Sequence, residues 1–188
     1  KPTVILGAPR FYEKVYENIL SNANNNPIKK YLFRAAFGYK PKSADDVVEK
    51  LFEKIVFSKI KEIFGGEMRF FISGGAKLRE DIGMFFDRSG LVVLEGYGLT
   101  ETSPVIACNR LDKYKFGTVG PVLNNLTVRI SDSNEILVKG PSVTSGYLRQ
   151  NDNEGMFTED GYFRTGDLGY VDREGFLVIN GRSKDMVV

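Results

Sequence analysis

A strand–helix–strand pattern between residues 68 and 94 constrains the fold of this chain most strongly. Residues 68–72 and 91–94 are short apolar runs typical of buried strands, and residues 79–88 carry apolar side chains at helical spacing. Two strands joined by one crossover helix are expected to be parallel neighbours in a sheet. Their carboxyl ends should therefore meet at one edge of that sheet, where open α/β sheets bind their ligands.

Glycines follow both predicted strands. Ser-Gly-Gly-Ala occupies residues 73–76, and the strand geometry predicts that it lies beside residues 96–101. Glycine allows a ligand to approach the backbone closely. Tyr97 offers a flat ring to a purine, Thr100 a hydroxyl to a phosphate oxygen, and Glu101 a carboxylate to Mg²⁺, which takes few protein carboxylates when phosphates supply further oxygens. The structural alternative is a tight turn with a buried tyrosine and polar surface residues.

A second group of polar residues lies near the C-terminal end. Residues 172–175 read as a four-residue hairpin turn, which sets Asp167 opposite Asn180 and makes Arg182 its diagonal neighbour on the same face. A carboxylate beside a guanidinium could hold the two hydroxyls of a ribose. The alternative is an ordinary cross-strand ion pair, which contributes little to stability.

These motifs together resemble those of the adenylate-forming enzymes, which include acyl-CoA synthetases, luciferases and peptide-synthetase adenylation domains. The resemblance rests on Glu-Gly-Tyr-Gly-Leu-Thr-Glu-Thr-Ser-Pro at residues 95–104 and on the Ser-Gly-Gly-Ala, Thr-Gly-Asp and Gly-Arg-Ser-Lys-Asp segments in the family's order. It implies that Tyr97 stacks on adenine, Thr100 contacts the α-phosphate and Glu101 binds Mg²⁺. It also implies that Asp167 and Arg182 bind the ribose.

The resemblance implies a larger set of site residues. Thr100 and Glu101 would be catalytic, and Lys184 would lie at the hinge between a large N-terminal and a small C-terminal domain. The implied contacts with ATP or AMP are Gly74, Gly75, Ala76, Glu95, Gly96, Tyr97, Gly98, Thr100, Asp167, Ile179 and Arg182.

Residues 1–65 are similar to the long-chain fatty acid branch of this family. The resemblance implies an enzyme that joins a fatty acid to the α-phosphate of ATP with release of pyrophosphate, and then transfers the acyl group to coenzyme A. ATP, Mg²⁺ and coenzyme A would be its cofactors and co-substrates. The family's phosphate loop and lysine-bearing C-terminal domain are not found in the sequence, so we expect a fragment that is inactive alone.

Two other functions stay open at this point. One is another acyl-adenylating ligase, acting on medium-chain acids or an acyl-carrier protein, which turnover of acids of different length would distinguish. The other is a non-catalytic nucleotide-binding module that has kept the motifs as a scaffold. The presence of Thr100, Glu101, Asp167 and Arg182 argues against a scaffold, and a Glu101→Ala variant with an unchanged Mg²⁺-dependent rate would favour it.

The predicted fold class is α/β, in which a βαβ parallel-sheet portion precedes a small antiparallel β subdomain, a distorted barrel. After Cys108 the strands become short and turns frequent, with candidate strands at 115–119, 126–130, 136–139, 161–164, 169–171 and 176–179. We expect an α/β part over residues 1–112, a β subdomain over 113–180 and the start of a hinge over 181–188. Helices are expected over 9–20, 28–37 and 43–65, the last capped from Ser43.

Composition excludes several classes of function. The 188 residues contain no histidine, which rules out Ser–His and Cys–His catalysis and histidine-ligated zinc. The net charge of +2 gives no indication of a nucleic-acid partner. The single cysteine fits a reducing compartment, and no apolar run approaches the about 18 residues of a membrane-spanning helix. We expect a cytoplasmic protein and leave open both a peripheral contact with the inner face of the membrane and the oligomeric state.

Overall fold

The structure, a computed structural model, describes residues 1–43 and 45–185, with Asp185 described by its backbone alone. The chain divides into two units, Lys1–Val93 and the residues from Leu94 onward. The boundary that the sequence suggests, between residues 112 and 113, falls inside the second unit and stays a prediction. The described part of the chain contains no helix with both the length and the apolar character needed to cross a membrane.

The first unit combines two parallel strands with helices. Proline at the first helical position begins both α1 and α2, where its missing N–H is not needed. One long helix follows, in which a π-helical turn over Glu53–Phe57 separates α3 from α4. The elements are β1 (Val4–Gly7), α1 (Pro9–Asn24), α2 (Pro27–Gly38), α3 (Val47–Phe52), α4 (Ser58–Ile63), β2 (Phe70–Ser73) and α5 (Glu80–Arg88).

The N-terminal cap of the long helix differs from the prediction. Asp46, rather than Ser43, accepts hydrogen bonds from the backbone N–H groups of Val48 and Glu49, at 3.0 and 3.2 Å. A carboxylate at this position satisfies two of the free N–H groups and also complements the helix dipole. The helix therefore begins three residues later than the sequence pattern suggests.

An aromatic core holds the first unit together. β1 pairs in parallel with β2, and the Tyr12 hydroxyl on α1 donates to the Ile72 carbonyl at 2.7 Å. Tyr12, Phe71 and Phe86 are fully buried, and their rings contact one another in tilted and edge-to-face arrangements. The Phe71 N–H donates to the Val92 carbonyl at 2.9 Å, directly before the start of β3. This arrangement, with helices packed against parallel strands, confirms the α/β class.

The second unit consists mainly of antiparallel strands. β3 (Val93–Gly98) starts at the boundary and pairs with β4 (Val105–Cys108). A separate antiparallel half-barrel has the strand order β5 (Thr127–Ile130), β6 (Glu135–Lys139), β7 (Phe163–Val171) and β8 (Leu177–Arg182). Short 3₁₀ turns occupy Thr100–Thr102, Gln150–Asn153 and Ser183–Asp185. The predicted antiparallel β portion is thereby confirmed.

Three predicted strands of this unit are wrong in detail. Residues 115–119 form turns, and only Val119 and Gly120 exchange backbone hydrogen bonds with Leu177 of β8. The predicted strands at 161–164 and 169–171 are one strand, because β7 continues through Gly166 at a positive φ of 71°. A glycine that reads locally as a break is accommodated here by pairing with β6 on one side and β8 on the other.

Candidate functional site

The motif at residues 95–104 is a strand and a tight turn rather than a loop. β3 continues through Gly98, with Tyr97 opposite Ala107 of β4 and Gly98 opposite Val105. A Cβ on Gly98 would lie 1.8 Å from the Pro104 carbonyl oxygen, so this glycine is needed for the close approach of the two strands. The predicted end of the strand at residue 94 is therefore wrong, because pairing with β4 stabilises a glycine-rich segment as strand.

A buried threonine fixes the turn that carries Thr100 and Glu101. The Thr102 hydroxyl accepts from the Leu99 N–H at 3.0 Å and donates to the Pro104 carbonyl at 2.5 Å. Thr102 is fully buried, whereas Thr100 is exposed and Glu101 half-buried. The motif alone gave no role to Thr102, although Ser and Thr hydroxyls commonly bond to a backbone group three residues away, as Thr102 does to Leu99.

Tyr97, Asp167 and Arg182 form one hydrogen-bonded group. The Tyr97 hydroxyl donates to Asp167 Oδ2 at 2.6 Å, and Arg182 Nε donates to Asp167 Oδ1 at 3.1 Å. Burial, followed by the hydrogen bond to Asp167, raises the pKa of Tyr97 above its ordinary value. Asp167 is 4% exposed, while the Arg182 side chain is 62% exposed. The structure thus brings three predicted site residues together, with the guanidinium facing solvent.

The register that produces this contact differs from the predicted one. Val171 pairs with Leu177, so the hairpin loop is one residue longer than the four-residue turn, and Asp172 closes it by accepting from the Phe176 N–H at 2.9 Å. A shift between Leu168 and Gly169 then places Arg182 directly opposite Asp167 rather than diagonal to it. The longer hairpin loop and the register shift each move the β7–β8 pairing by one residue, so the partner of Asp167 is Arg182 instead of the predicted Asn180.

Tyr97 is half-buried, and its ring packs beside the apolar clusters around Ile106 and Ala107. The alternative expectation of a buried tyrosine is therefore met in part, and stacking on adenine stays a prediction. Ile179 lies on β8 opposite Gly169 and is also half-buried. Glu95 is 6% exposed, and its backbone carbonyl accepts from the Asn109 N–H at 2.8 Å.

Glu101 is held by a segment distant in sequence. The Tyr147 hydroxyl donates to Glu101 Oε1 at 2.5 Å, and the Thr144 N–H donates to the Glu101 carbonyl at 2.7 Å. Within the described residues no three His, Cys, Asp or Glu side chains gather as a metal site. A cation at Glu101 would thus have a single carboxylate and need oxygens from phosphate and water, which suits Mg²⁺.

The predicted Ser-Gly-Gly-Ala contacts belong to the first unit. The Gly74 N–H donates to the Gly7 carbonyl at 3.3 Å, and Gly75 has a positive φ of 86° with open space where a Cβ would stand. Gly75 and Ala76 are exposed, and the buried Ser73 hydroxyl has no hydrogen-bond partner among the described residues. An unpaired buried hydroxyl is uncommon and is compatible with a ligand nearby. The proximity of residues 73–76 to residues 96–101 stays a prediction.

Lys184 lies in the 3₁₀ turn that follows β8 and is exposed. The neighbouring Ser183 hydroxyl donates to the Gly166 carbonyl at 3.0 Å, which fixes the start of the turn against β7. The hinge role of Lys184 stays a prediction, and residues 186–188 of the predicted hinge lie outside the described residues.

Comparison with known proteins gives consistent matches. The family model described as AMP-binding enzyme matches residues 1–148. The chain is 39% identical over 201 residues to long-chain-fatty-acid–CoA ligase FadD15 of Mycobacterium tuberculosis, covering 100% of this chain and 33% of that protein. It is 32% identical over 205 residues to fatty acyl-CoA synthetase B of Dictyostelium discoideum, covering 98% of this chain and 30% of that protein. The chain therefore spans about a third of the length of these relatives.

Solved structures show the same similarity. ATP-bound MatB from Rhodopseudomonas palustris superimposes with a TM-score of 0.69 at 31% identity, covering 100% of this chain and 32% of that chain. A malonyl-CoA ligase with methylmalonyl-CoA and AMP bound gives a TM-score of 0.64 at 27% identity, covering 96% of this chain and 34% of that chain.

Proposed function

Because this chain belongs to the family of AMP-binding enzymes, we propose that it forms part of a ligase that activates a long-chain fatty acid with ATP and transfers the acyl group to coenzyme A. Relatives named as long-chain ligases match it over its full length. Solved relatives named for bound ATP, or for AMP with a coenzyme A thioester, support the same co-substrates. The proposal concerns the complete ligase, of which we infer this chain to be about a third.

The contact of Tyr97 and Arg182 with Asp167 is the observation that carries the proposal. A carboxylate has about four lone-pair sites, and two of those on Asp167 accept from Tyr97 and Arg182. Further lone pairs can accept from ribose hydroxyls. Arg182 donates to Asp167 through Nε, and the two terminal nitrogens of its guanidinium carry further donors that a nucleotide can use. In the proposed role the pair binds the ribose while the Tyr97 ring borders the adenine.

Thr100 and Glu101 take the phosphate end of the nucleotide in this proposal. Thr100 is exposed on a turn that the buried Thr102 holds rigid, so its hydroxyl is available to the α-phosphate. Mg²⁺, when bound, neutralises the charge that opposes the approach of the acid carboxylate to the phosphate. Glu101 would hold that ion through its single carboxylate. Because the turn already fixes Thr100 and Glu101, less entropy would be lost in orienting the reacting groups, which lowers the barrier.

The remaining predicted site residues keep supporting roles in the proposal. Gly74, Gly75 and Ala76 would border the nucleotide from the first unit, and Ile179 would pack beneath it. We retain the predicted division at residues 112 and 180, with Lys184 at the hinge to a C-terminal domain. The complete enzyme would work in the cytoplasm, with peripheral contact at the inner face of the membrane, where long-chain acids partition.

The test is the activity of the complete ligase with a panel of acids. We expect acid-dependent exchange of pyrophosphate into ATP, and thioester formation with coenzyme A, to be faster with palmitate than with octanoate or malonate. Glu101→Gln should abolish both reactions. Preference for malonate or octanoate would overturn the long-chain assignment. Unchanged Mg²⁺-dependent turnover in Glu101→Ala would instead indicate that the site is a scaffold.

A further inference from the structure

Tyr147 contacts Glu101 across 46 residues of sequence. Its hydroxyl donates to Glu101 Oε1 at 2.5 Å, a short distance typical of an O–H donor on a charged carboxylate. Tyr147 is 45% exposed, so apolar burial does not account for where its ring lies. The hydrogen bond to Glu101 is the contact that orders the end of this side chain.

The backbone of Tyr147 is clamped by one amide side chain. The Tyr147 N–H donates to Asn153 Oδ1 at 2.6 Å, and Asn153 Nδ2 donates back to the Tyr147 carbonyl at 3.1 Å. Gly146 has a φ of 140°, and a Cβ there would lie 2.9 Å from Asn153 Oδ1. A side chain at residue 146 would therefore strain the backbone and crowd the clamp, so the glycine favours this arrangement.

The same segment also holds the backbone of Glu101. The Thr144 N–H donates to the Glu101 carbonyl at 2.7 Å, and the Thr144 hydroxyl accepts from the Gly146 N–H at 3.2 Å. Glu101 is thus fixed at its carbonyl and at one carboxylate oxygen by residues only three positions apart. Two attachments to one segment restrict both the position and the rotamer of the glutamate.

We propose that Tyr147 is a positioning residue that holds the carboxylate of Glu101 ready for a divalent cation. This inference rests on the proposed function, in which Glu101 is the carboxylate ligand of Mg²⁺. The tyrosine occupies a lone pair on Oε1, and Oε2 keeps its own lone pairs for the cation. A glutamate already held in one rotamer loses less side-chain entropy when the cation binds. Hydrogen-bond partners of metal ligands commonly change metal affinity in this way.

The experiment measures binding of a cation rather than turnover. Mn²⁺, as a paramagnetic substitute for Mg²⁺, is titrated into the complete ligase saturated with a non-hydrolysable ATP analogue, and free Mn²⁺ is followed by electron paramagnetic resonance. We expect Tyr147→Phe to weaken Mn²⁺ binding about tenfold. Loss of a hydrogen-bond partner of a metal ligand typically lowers metal affinity by about 10–100-fold, and this expectation is at the lower end of that range. Tyr170→Phe is the matched control, because Tyr170 is 47% exposed on β7, and it should bind Mn²⁺ as the wild type does.

Two further variants distinguish an error in the role of Tyr147 from an error in the metal role of Glu101. Asn153→Ala removes the hydrogen bonds to the Tyr147 backbone and leaves the Glu101 carboxylate unchanged. Mn²⁺ affinity between those of the wild type and Tyr147→Phe would support positioning of Tyr147 by Asn153. Glu101→Gln should weaken Mn²⁺ binding more than Tyr147→Phe does. Weakening in Glu101→Gln with wild-type binding in Tyr147→Phe would overturn the role of Tyr147 alone. Wild-type binding in Glu101→Gln would overturn the proposed metal role of Glu101 itself.

Discussion

Arg182 lies directly opposite Asp167 in the β7–β8 pair, and its Nε donates to Asp167 Oδ1 at 3.1 Å. The two partners differ in environment, because Asp167 is buried and the Arg182 side chain is 62% exposed. Exposed charges gain little from pairing, whereas a buried carboxylate depends on its donors. Arg182 therefore satisfies the buried carboxylate through Nε, while the exposed remainder of its guanidinium is well placed to contact a ligand.

This asymmetry predicts how Arg182→Gln behaves. The free energy of unfolding should fall by about 1–2 kcal/mol, because the buried Asp167 loses one donor while Tyr97 still donates to it. Affinity of the complete ligase for ATP should fall about tenfold, equivalent to about 1.4 kcal/mol, through loss of a charged donor to the nucleotide. Chemical denaturation and titration calorimetry measure the two quantities.

Arg164→Gln is the control for that variant. Arg164 lies on the neighbouring strand β7 and pairs with Glu135 at 3.0 Å, with a side chain that is 48% exposed. It should match Arg182→Gln in stability and match the wild type in ATP affinity. Equal ATP affinities in all three proteins would contradict a role for Arg182 in binding the nucleotide.

Tyr97→Phe tests the hydroxyl without removing the ring. Loss of the hydrogen bond to Asp167 should lower the free energy of unfolding by about 1–2 kcal/mol, because the buried carboxylate loses a donor. The raised pKa of Tyr97 also means that the folded state retains this proton at pH values where the unfolded state releases it. The resulting stability is complete below the unfolded pKa of about 10 and is lost as the pH rises above it.

Tyr12 gives the comparison for the alkaline effect. Burial raises the pKa of Tyr12 to about 12, so it contributes to the same loss of stability above pH about 10. Stability measured between pH 8 and 11 should fall less steeply in Tyr97→Phe than in the wild type, and likewise in Tyr12→Phe. Identical slopes in Tyr97→Phe and the wild type would show that the Tyr97 hydroxyl does not retain its proton as described.

The two glycines of β3 should respond differently to alanine. A Cβ at Gly98 would lie 1.8 Å from the Pro104 carbonyl oxygen, whereas a Cβ at Gly96 would find its nearest neighbour at 3.7 Å. Gly98→Ala should therefore force β3 and β4 apart, cost about 1–3 kcal/mol and displace the turn that carries Glu101. Gly96→Ala should be nearly neutral for stability. Thermal unfolding of the two variants measures the difference, and equal midpoints would mean that the strands do not approach this closely.

The sequence predicts the first unit well because its signals are local. Alternation of apolar runs and helical spacing identifies β2 and α5, and Pro9 locates the start of α1. The capping error at Asp46 arises because several polar residues precede the helix, and only the folded backbone selects among them.

The geometry of the candidate site is harder to predict, because it depends on strand pairing and hydrogen bonds between residues far apart in the sequence. Motifs identify Asp167 and Arg182 as neighbours, but the longer hairpin loop and the shift at Leu168 that set their register have no clear sequence signal. The contact between Tyr147 and Glu101 joins residues 46 positions apart, and neither periodicity nor turn composition indicates it. Pairing across the fold likewise decides that residues 95–98 form a strand despite two glycines.

Binding of the ATP ribose by Asp167 is tested by combining one variant of the protein with one analogue of ATP. Titration calorimetry compares ATP with 2′,3′-dideoxy-ATP in the complete ligase, wild type and Asp167→Asn. We predict that removing the ribose hydroxyls weakens binding to the wild type at least about tenfold, and that the loss is largely absent in Asp167→Asn, because paired changes are not additive when the groups touch. An equal loss of affinity in the wild type and in Asp167→Asn would contradict binding of the ribose by Asp167.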